Sequence, residues 1–354
     1  DQKDTFKDYG VKSPESLSSQ EIKDHLLASG CWPFVKQRPY DIVANTKDLP
    51  KAIHVTGFNS EPLTADFDYS LYGQDSHFQN GLDVLLKLTE GNVHLNVHSE
   101  RTASNMFKSA KGVTMNTFSG PHPSGNVGTQ INKIDPVNKG EVVWTINPQD
   151  LVIIGELLLT GKFHAERIIA LAGSSVAAPK YYKTIIGASI ASLVEGKLKG
   201  DNNRIISGNV LTGRTKSLKG SFGFYDTMIT VIPEGNDYEM FGWNLPVFNK
   251  ISTSRALTFS WLFPNKKFDL NTNTNGEHRA FVVTGNYEEV FPLDIYPMQI
   301  LKACKYEDLD EMEQLGMYEV APEDFALTEF VCVSKQPHQE IIRKGLDLML
   351  KEIG

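Results

Sequence analysis

The stretch Phe118-Ser119-Gly120-Pro121-His122-Pro123-Ser124-Gly125-Asn126-Val127-Gly128-Thr129 carries the chain from an apolar, β-branched run into a glycine-rich turn. Its glycines permit positive φ or a close approach of another group to the backbone. Pro121 and Pro123 flank His122, and their fixed φ restricts the backbone on both sides of this residue. Proteins with α/β folds place ligands where a strand runs into such a turn. The stretch therefore predicts an α/β domain whose loop is either a tight structural turn, which spacing alone favours, or a ligand site.

Two phosphate-binding motifs do not fit this loop. A P-loop needs Lys and then Ser or Thr directly after its second glycine, but Asn126-Val127 follow Gly125. The dinucleotide fingerprint G-x-G-x-x-G needs another glycine two residues before Gly125, and Pro123 stands there. The loop is therefore not predicted to grip a phosphate.

Around this loop the chain divides by its pattern of strands, helices and turns, and the predicted fold class is α/β plus α+β. Residues 1–49 form an N-terminal approach segment. Strands alternate with helices over 50–164, which predicts a Rossmann-like domain with a mostly parallel sheet. Residues 165–235 predict a domain in which short strands alternate with turns, residues 236–298 a strand-rich connecting region, and residues 299–354 a helical region in three segments.

Local signals fix several element ends. Ser18 stands three residues before Glu21, which predicts a capping box at a helix that ends at Gly30. Asn147-Pro148 predicts the start of a second helix, which ends at Gly161.

The segment from Val93 to His98 alternates apolar and polar residues, which predicts a half-buried strand. On a strand, His94 and His98 are about 13 Å apart, too far to share a metal ion. No metal site is predicted here.

Composition limits the partners. The chain has 35 basic and 43 acidic residues, a net charge of −8. Without a basic cluster, neither nucleic acid nor direct binding to anionic lipid is expected. No run approaches the roughly 20 apolar residues of a membrane helix, so membrane association is expected to run through another protein. The three cysteines are sparse and far apart, which suits a reducing compartment.

Several short segments, taken together and in order, resemble those of a known protein family. The Gly-Pro-His-Pro-x-Gly-x-x-Gly-Thr loop is similar to that of the A subunit (NqrA) of the sodium-translocating NADH:quinone oxidoreductase, a bacterial respiratory complex. Later segments agree in order: Gly242-Trp243, Gly276 to Ala280, Phe291 to Ile295, and Glu323 to Leu327. Residues from Gly187 to Gly213 resemble the SLBB type of β-grasp module. The resemblance implies an N-terminal family segment without a counterpart here, and together with the start at Asp1 it leads us to expect a fragment or processed product.

The resemblance implies a peripheral subunit on the cytoplasmic side of the bacterial inner membrane. Its partners would be the membrane-embedded B subunit and the other subunits of a complex that oxidises NADH with quinone and exports Na⁺. Flavins and iron–sulfur clusters would lie on those other subunits, and this chain would be inactive alone.

No redox cofactor is expected on this chain. An iron–sulfur cluster needs about four thiolates, and the C-terminal region has only Cys304 and Cys332. In the flavin-binding subunit of complex I, which has a similar domain order, a glycine-rich loop holds the cofactor phosphate. Here Glu61, Asp66 and Asp68 occupy that part of the sequence, and their carboxylates would repel a phosphate.

Quinone is the remaining ligand class. A quinone site needs an apolar slot and a hydrogen-bond donor to a carbonyl oxygen. The resemblance implies quinone binding, because the family is associated with it, and we therefore predict a site made by His122, Phe118, Pro121, Gly125 and Gly128. Three alternatives stay open: a chain that is purely a structural scaffold, a loop that docks on the membrane subunit, and a flavin- or NADH-binding electron-transfer domain.

Overall fold

The computed structural model describes residues 6–101, 105–236, 240, 251–252 and 260–354. The strands are β1 Lys36–Arg38, β2 Ile42–Val43, β3 Ala52–Thr56, β4 Asn92–His98, β5 Thr114–Phe118, β6 Val143–Ile146, β7 Glu166–Ala172, β8 Lys180–Ile185, β9 Asn203–Ser207, β10 Arg214–Lys216 and β11 Met228–Pro233. The α-helices are α1 Ser19–Ser29, α2 Phe67–Ser70, α3 Asp75–Leu86, α4 Asn105–Lys108, α5 Val127–Ile134, α6 Pro148–Thr160, α7 Ile190–Val194, α8 Pro297–Tyr306, α9 Leu309–Gln314, α10 Ala326–Val331 and α11 His338–Ile353.

The first sheet has six strands in the order β2-β1-β6-β3-β4-β5. Strands β6, β3, β4 and β5 are parallel, and β1 adds to β6 in the antiparallel sense. This confirms the Rossmann-like expectation. The approach segment supplies β1 and β2, so it is an integral edge of the sheet.

Both predicted helix boundaries are confirmed by their caps. Ser18 and Glu21 form the reciprocal capping box of α1, and Gly30 ends that helix in the left-handed conformation. The Asn147 side chain accepts a hydrogen bond from the amide of Gln149 at 2.9 Å, and Gly161 ends α6 in the same left-handed way.

Strand β4 is not half-buried as predicted, because its polar face is covered too. Asn96 is fully buried, and its Nδ2 donates to Gln130 Oε1 on α5 at 2.9 Å. Thr56 Oγ1 on β3 donates to the same oxygen at 2.9 Å. A parallel sheet is covered on both faces, and here the glycine-rich stretch supplies the cover through α5.

The second sheet has five strands in the order β10-β9-β11-β7-β8. Strands β7 and β11 are parallel, whereas the other pairs are antiparallel. Helix α7 buries Ile190, Leu193 and Val194 in the core of this sheet. The mixed sheet and single short helix agree with the α+β module expected for this region.

The connecting region departs from its prediction, because its described residues after 235 and up to 298 contain no strand. Local hydrogen bonds compete with sheet pairing there. Asn271 Oδ1 accepts from the amide of Asn273 at 3.0 Å, and Thr274 Oγ1 donates to the carbonyl of Gly276 at 3.0 Å.

The C-terminal region is helical as predicted, but it begins at Pro297 and contains four α-helices rather than three segments. Its core includes Ile342, Leu346 and Met349 of α11, whereas Ile353 at the end of that helix is 45% exposed. Tyr40 of the approach segment packs into this core. The approach segment therefore contacts both the first sheet and the C-terminal helices.

Candidate functional site

Strands β3 and β6 are neighbours at the point where the order of the first sheet reverses. From β3 the chain continues to β4 on one side, and it returns through α5 to β6 on the other side. Ligands in open α/β sheets bind at the carboxyl ends of such a strand pair. A cavity of about 240 Å³ lies there, bordered by Thr56 and Asn59 after β3 and by Ile146 and Asn147 after β6.

Three parts of the chain close this cavity. Gly125 and Asn126 reach it from the glycine-rich stretch. Asn209 and Tyr225 reach it from the second sheet, and Glu323 from the C-terminal region. The cavity is therefore shared among the domains.

His122 does not line this cavity, but Ser60 connects it to Gly125, which does. Ser60 Oγ lies 2.9 Å from His122 Nδ1 and accepts a hydrogen bond from the amide of Gly125 at 2.8 Å. When the Ser60 hydroxyl donates to Nδ1, the imidazole proton is on Nε2. That Nε2 is buried and has no hydrogen-bond partner among the described residues.

Burial lowers the pKa of His122 to about 4. The imidazole is therefore neutral near neutral pH, with one ring nitrogen as a donor and the other as an acceptor. A neutral donor at a buried position is suited to a carbonyl oxygen rather than to an anion.

The five predicted quinone residues do not line one pocket. Gly125 borders the cavity, whereas His122 does not and is connected to Gly125 only through the Ser60 hydroxyl. Phe118 ends the edge strand β5 and is half-buried, Pro121 is exposed, and neither belongs to the cavity lining. Gly128 is buried in the first turn of α5.

Both glycines allow close packing. A Cβ on Gly125 would sit 2.7 Å from Ser60 Oγ, so Gly125 lets the loop reach that hydroxyl. A Cβ on Gly128 would overlap the carboxylate of Asp324. Each glycine therefore places the loop against a group that is distant in sequence.

Asp324 belongs to a buried ion pair that the sequence did not reveal. Arg38 Nη1 donates to Asp324 Oδ2 at 2.7 Å, and Arg38 Nη2 donates to Glu323 Oε1 at 2.7 Å. The side chains of Arg38 and Asp324 are 2% and 0% exposed. Asp324 also caps the short 3-10 helix Pro322–Phe325, since its Oδ2 accepts a hydrogen bond from the amide of Ala321 at 2.9 Å.

The cavity wall is acidic. Its carboxyl groups are Asp41, Glu61, Asp150, Asp226 and Glu323. Burial raises the pKa of Asp150 to about 6 despite the opposing charge of Arg167. Burial also raises the pKa of Glu323 to about 7 against the effect of Arg38, and the 41% of its side chain that remains accessible borders the cavity.

Of the three carboxylates expected to repel a phosphate, Glu61 alone lines the cavity. Burial raises the pKa of Glu61. Asp66 instead caps α2, where its Oδ1 accepts from the amide of Asp68 at 2.8 Å. Any repulsion of a phosphate from the cavity therefore comes from Glu61 together with carboxyl groups of other domains, and Asp66 and Asp68 take no part in it.

The described ranges offer no site for a metal ion, since no group of three or more His, Cys, Asp and Glu side chains in them is placed to hold one. His54 and His94 stack with ring centroids 4.7 Å apart on neighbouring strands.

Over the described ranges, no helix has both the length and the apolar character needed to cross a bilayer.

Two family models match the chain. Residues 17–163 match the family described as "NqrA second alpha/beta domain". Residues 168–217 match the SLBB-type family described as "NQRA C-terminal domain". The first match covers the sheet that carries the cavity and the His122 loop.

Solved structures give a weaker likeness. A chain of NAD⁺-reducing [NiFe]-hydrogenase in the H₂-reduced state matches with 12% identity and a TM-score of 0.47, over 96% of this chain and 63% of that chain. The air-oxidised state matches with 14% identity and a TM-score of 0.42, over 62% of this chain and 50% of that chain.

Curated relatives are similar over nearly the whole chain. The A subunit of the Na(+)-translocating NADH-quinone reductase of Photorhabdus laumondii is 37% identical over 99% of this chain and 78% of its own length. The corresponding A subunits of Cellvibrio japonicus and Haemophilus influenzae are each 38% identical, and the chain covers 76% and 78% of their lengths. The chain therefore belongs to the NqrA family, the A subunits of the Na(+)-translocating NADH-quinone reductase.

Proposed function

We propose that this chain acts at the quinone end of a sodium-translocating NADH:quinone oxidoreductase, as a peripheral subunit without a redox cofactor of its own. NADH is oxidised on other subunits, which also carry the flavins and iron–sulfur clusters. The chain docks on the membrane-embedded B subunit, on the cytoplasmic side of the bacterial inner membrane. Family membership supports the subunit role, and the site geometry supports the quinone role.

The observation that carries the quinone role is the buried, unpartnered Nε2 of His122. With Ser60 as donor to Nδ1, this nitrogen presents an N–H group, and a quinone carbonyl oxygen accepts such a bond. The second supporting feature is the pair of carboxyl groups with raised pKa, Glu61 and Glu323, which border the neighbouring cavity. A carboxyl group whose pKa is raised is better suited to deliver the protons that reduction of a quinone to a quinol consumes.

Quinone titration against tryptophan fluorescence tests the role of His122. We expect His122→Ala to weaken quinone binding about tenfold, because it removes a buried hydrogen bond worth about 1.5 kcal/mol. His122→Gln keeps an amide N–H and should retain part of the affinity. His338→Gln is the matched control, since burial also lowers the pKa of His338 to about 4 but it lies in the C-terminal core. Equal affinity for the His122→Ala variant and the parent chain would refute the site.

A docking scaffold is the second candidate, supported by the exposed Pro121 at the tip of the same loop. Under this alternative, His122→Ala leaves quinone affinity unchanged but Pro121→Ala weakens co-purification with the membrane subunits. A visible spectrum of the purified chain tests the third candidate, because a bound flavin would give absorption bands.

A further inference from the structure

An exposed aromatic and basic tip lies in the segment that connects the second sheet to the C-terminal helices. We call Trp261, Leu262, Phe263, Lys266 and Lys267 the aromatic tip. The three apolar side chains are consecutive and are 61%, 52% and 60% exposed. Single exposed apolar residues are common on protein surfaces, but three large ones in a row beside two lysines are not explained by that background.

The segment that carries the tip leaves the second sheet and returns to the same place. The amide of Gly235, just after β11, donates to Thr272 Oγ1 at 2.8 Å. Thr272 Oγ1 in turn donates to Glu234 Oε1 at 2.6 Å, and Arg204 Nε on β9 holds Glu234 at 2.9 Å. The two ends of this segment are therefore held together beside the second sheet.

Turns set the shape of the tip. The amide of Phe263 donates to the carbonyl of Ser260 at 3.3 Å, and the amide of Lys266 donates to the carbonyl of Phe263 at 3.1 Å. These consecutive turns bring the apolar residues and the lysines into one short surface feature. Lys266 Nζ lies 5.3 Å from the ring centroid of Phe268, which adds a further aromatic side chain.

The charge of this segment is opposite to that of the chain. From residue 235 to residue 272 the sequence contains four basic residues, Lys250, Arg255, Lys266 and Lys267, and three acidic ones, Asp237, Glu239 and Asp269, whereas the whole chain has a net charge of −8. Electrostatic fields are screened within roughly 8–10 Å at physiological salt, so the local lysines, and not the net charge, decide what the tip attracts.

We propose that the aromatic tip inserts into the headgroup region of an anionic lipid surface. Tryptophan with neighbouring apolar side chains is favoured at the membrane interface, and lysines beside it attract lipid phosphates. The three consecutive apolar side chains of the tip are each more than half exposed, so they are available to insert among lipid headgroups. One such anchor gives weak, reversible binding, and it thus acts together with docking on the membrane subunits. The charge of the whole chain argued against direct lipid contact, but that average hides this local reversal.

Vesicle flotation of the full chain tests the proposal, with phosphatidylethanolamine–phosphatidylglycerol vesicles compared with vesicles of phosphatidylcholine alone. We expect binding to the anionic vesicles that weakens with added salt. Lys266→Gln with Lys267→Gln should lower the partition coefficient about thirtyfold, at about fivefold for each lysine. Trp261→Ser with Phe263→Ser should lower it about tenfold or more.

Matched controls carry the same changes elsewhere. Lys344→Gln with Lys351→Gln removes two charges from side chains that are 72% and 76% exposed on α11. Tyr72→Ser with Tyr306→Ser removes two rings that are 90% and 80% exposed. Both control variants should float like the parent chain.

The proposal is overturned if the parent chain does not float with anionic vesicles, or if the tip variants float as well as the parent. It is also overturned if flotation needs the membrane subunits of the complex in the vesicles, because the tip would then contact protein. None of these outcomes bears on quinone binding at His122, which is measured without lipid.

Discussion

Replacing Arg38 with Met tests the buried ion pair that joins the first sheet to the C-terminal region. The substitution keeps much of the side-chain volume but leaves Asp324, whose side chain is 0% exposed, without its cation. Breaking a buried pair from one side costs about 3–5 kcal/mol, because the remaining charge stays desolvated. We expect that loss in the free energy of unfolding. The lost bond to Glu323 adds less, since that side chain is 41% exposed.

Urea unfolding followed by circular dichroism measures the loss, and a second substitution identifies its cause. Asp324→Asn in the Arg38→Met background removes the stranded charge and should restore part of the stability. Lys344→Met is the control, because its ion pair with Glu340 joins side chains that are 72% and 60% exposed, and it should cost less than about 1 kcal/mol. The reasoning fails if Arg38→Met costs no more than Lys344→Met, or if Asp324→Asn makes the Arg38→Met variant still less stable.

Three further predictions concern other buried groups. Burial lowers the pKa of His54 to about 3, so the unfolded chain, with a pKa of about 6.5, binds more protons and stability falls with acid below that value. Between about pH 7 and about pH 5 this residue lowers the free energy of unfolding by about 2 kcal/mol. Urea unfolding at both pH values measures the drop, which should be about 2 kcal/mol smaller in a His54→Gln variant than in the parent chain. Gly128→Ala should destabilise the chain by about 1–3 kcal/mol, because the added Cβ would overlap the Asp324 carboxylate. Gly276→Ala is the control and should be nearly neutral, since its Cβ would meet only the flexible side chain of Lys335. Thermal unfolding compares the two variants, and equal melting temperatures would contradict the prediction. All three cysteines are buried, and burial raises the pKa of Cys31 and Cys304 to about 12. A thiol reagent should therefore label none of them in the native chain and all of them in denaturant. Rapid labelling of the native chain would contradict this burial.

Elements with local signals could be predicted from the sequence. The caps at Ser18, Gly30, Asn147 and Gly161 act within a few residues of their partners, so the pattern alone reveals them. The alternation of strands and helices likewise indicates the first sheet, because each unit has its own periodicity.

Contacts between distant residues could not be predicted. Arg38 and Asp324 are 286 positions apart, and Ser60 and His122 are 62 positions apart. The polar residues of β4 suggest a face exposed to solvent. In the structure α5 covers that face, and this cover depends on how the glycine-rich stretch packs, which the sequence of β4 does not reveal. For this reason His122 and Gly125 could be singled out, but their common partner Ser60 could not.

The missing side chain at Gly128 has a mechanical consequence. The first turn of α5 rests directly on the Asp324 carboxylate, and that carboxylate is held by Arg38. This packing connects the C-terminal region, through Asp324, to the helix that follows the His122 loop. A displacement of the C-terminal helices would therefore first be felt at Gly128 in the first turn of α5, six residues after His122.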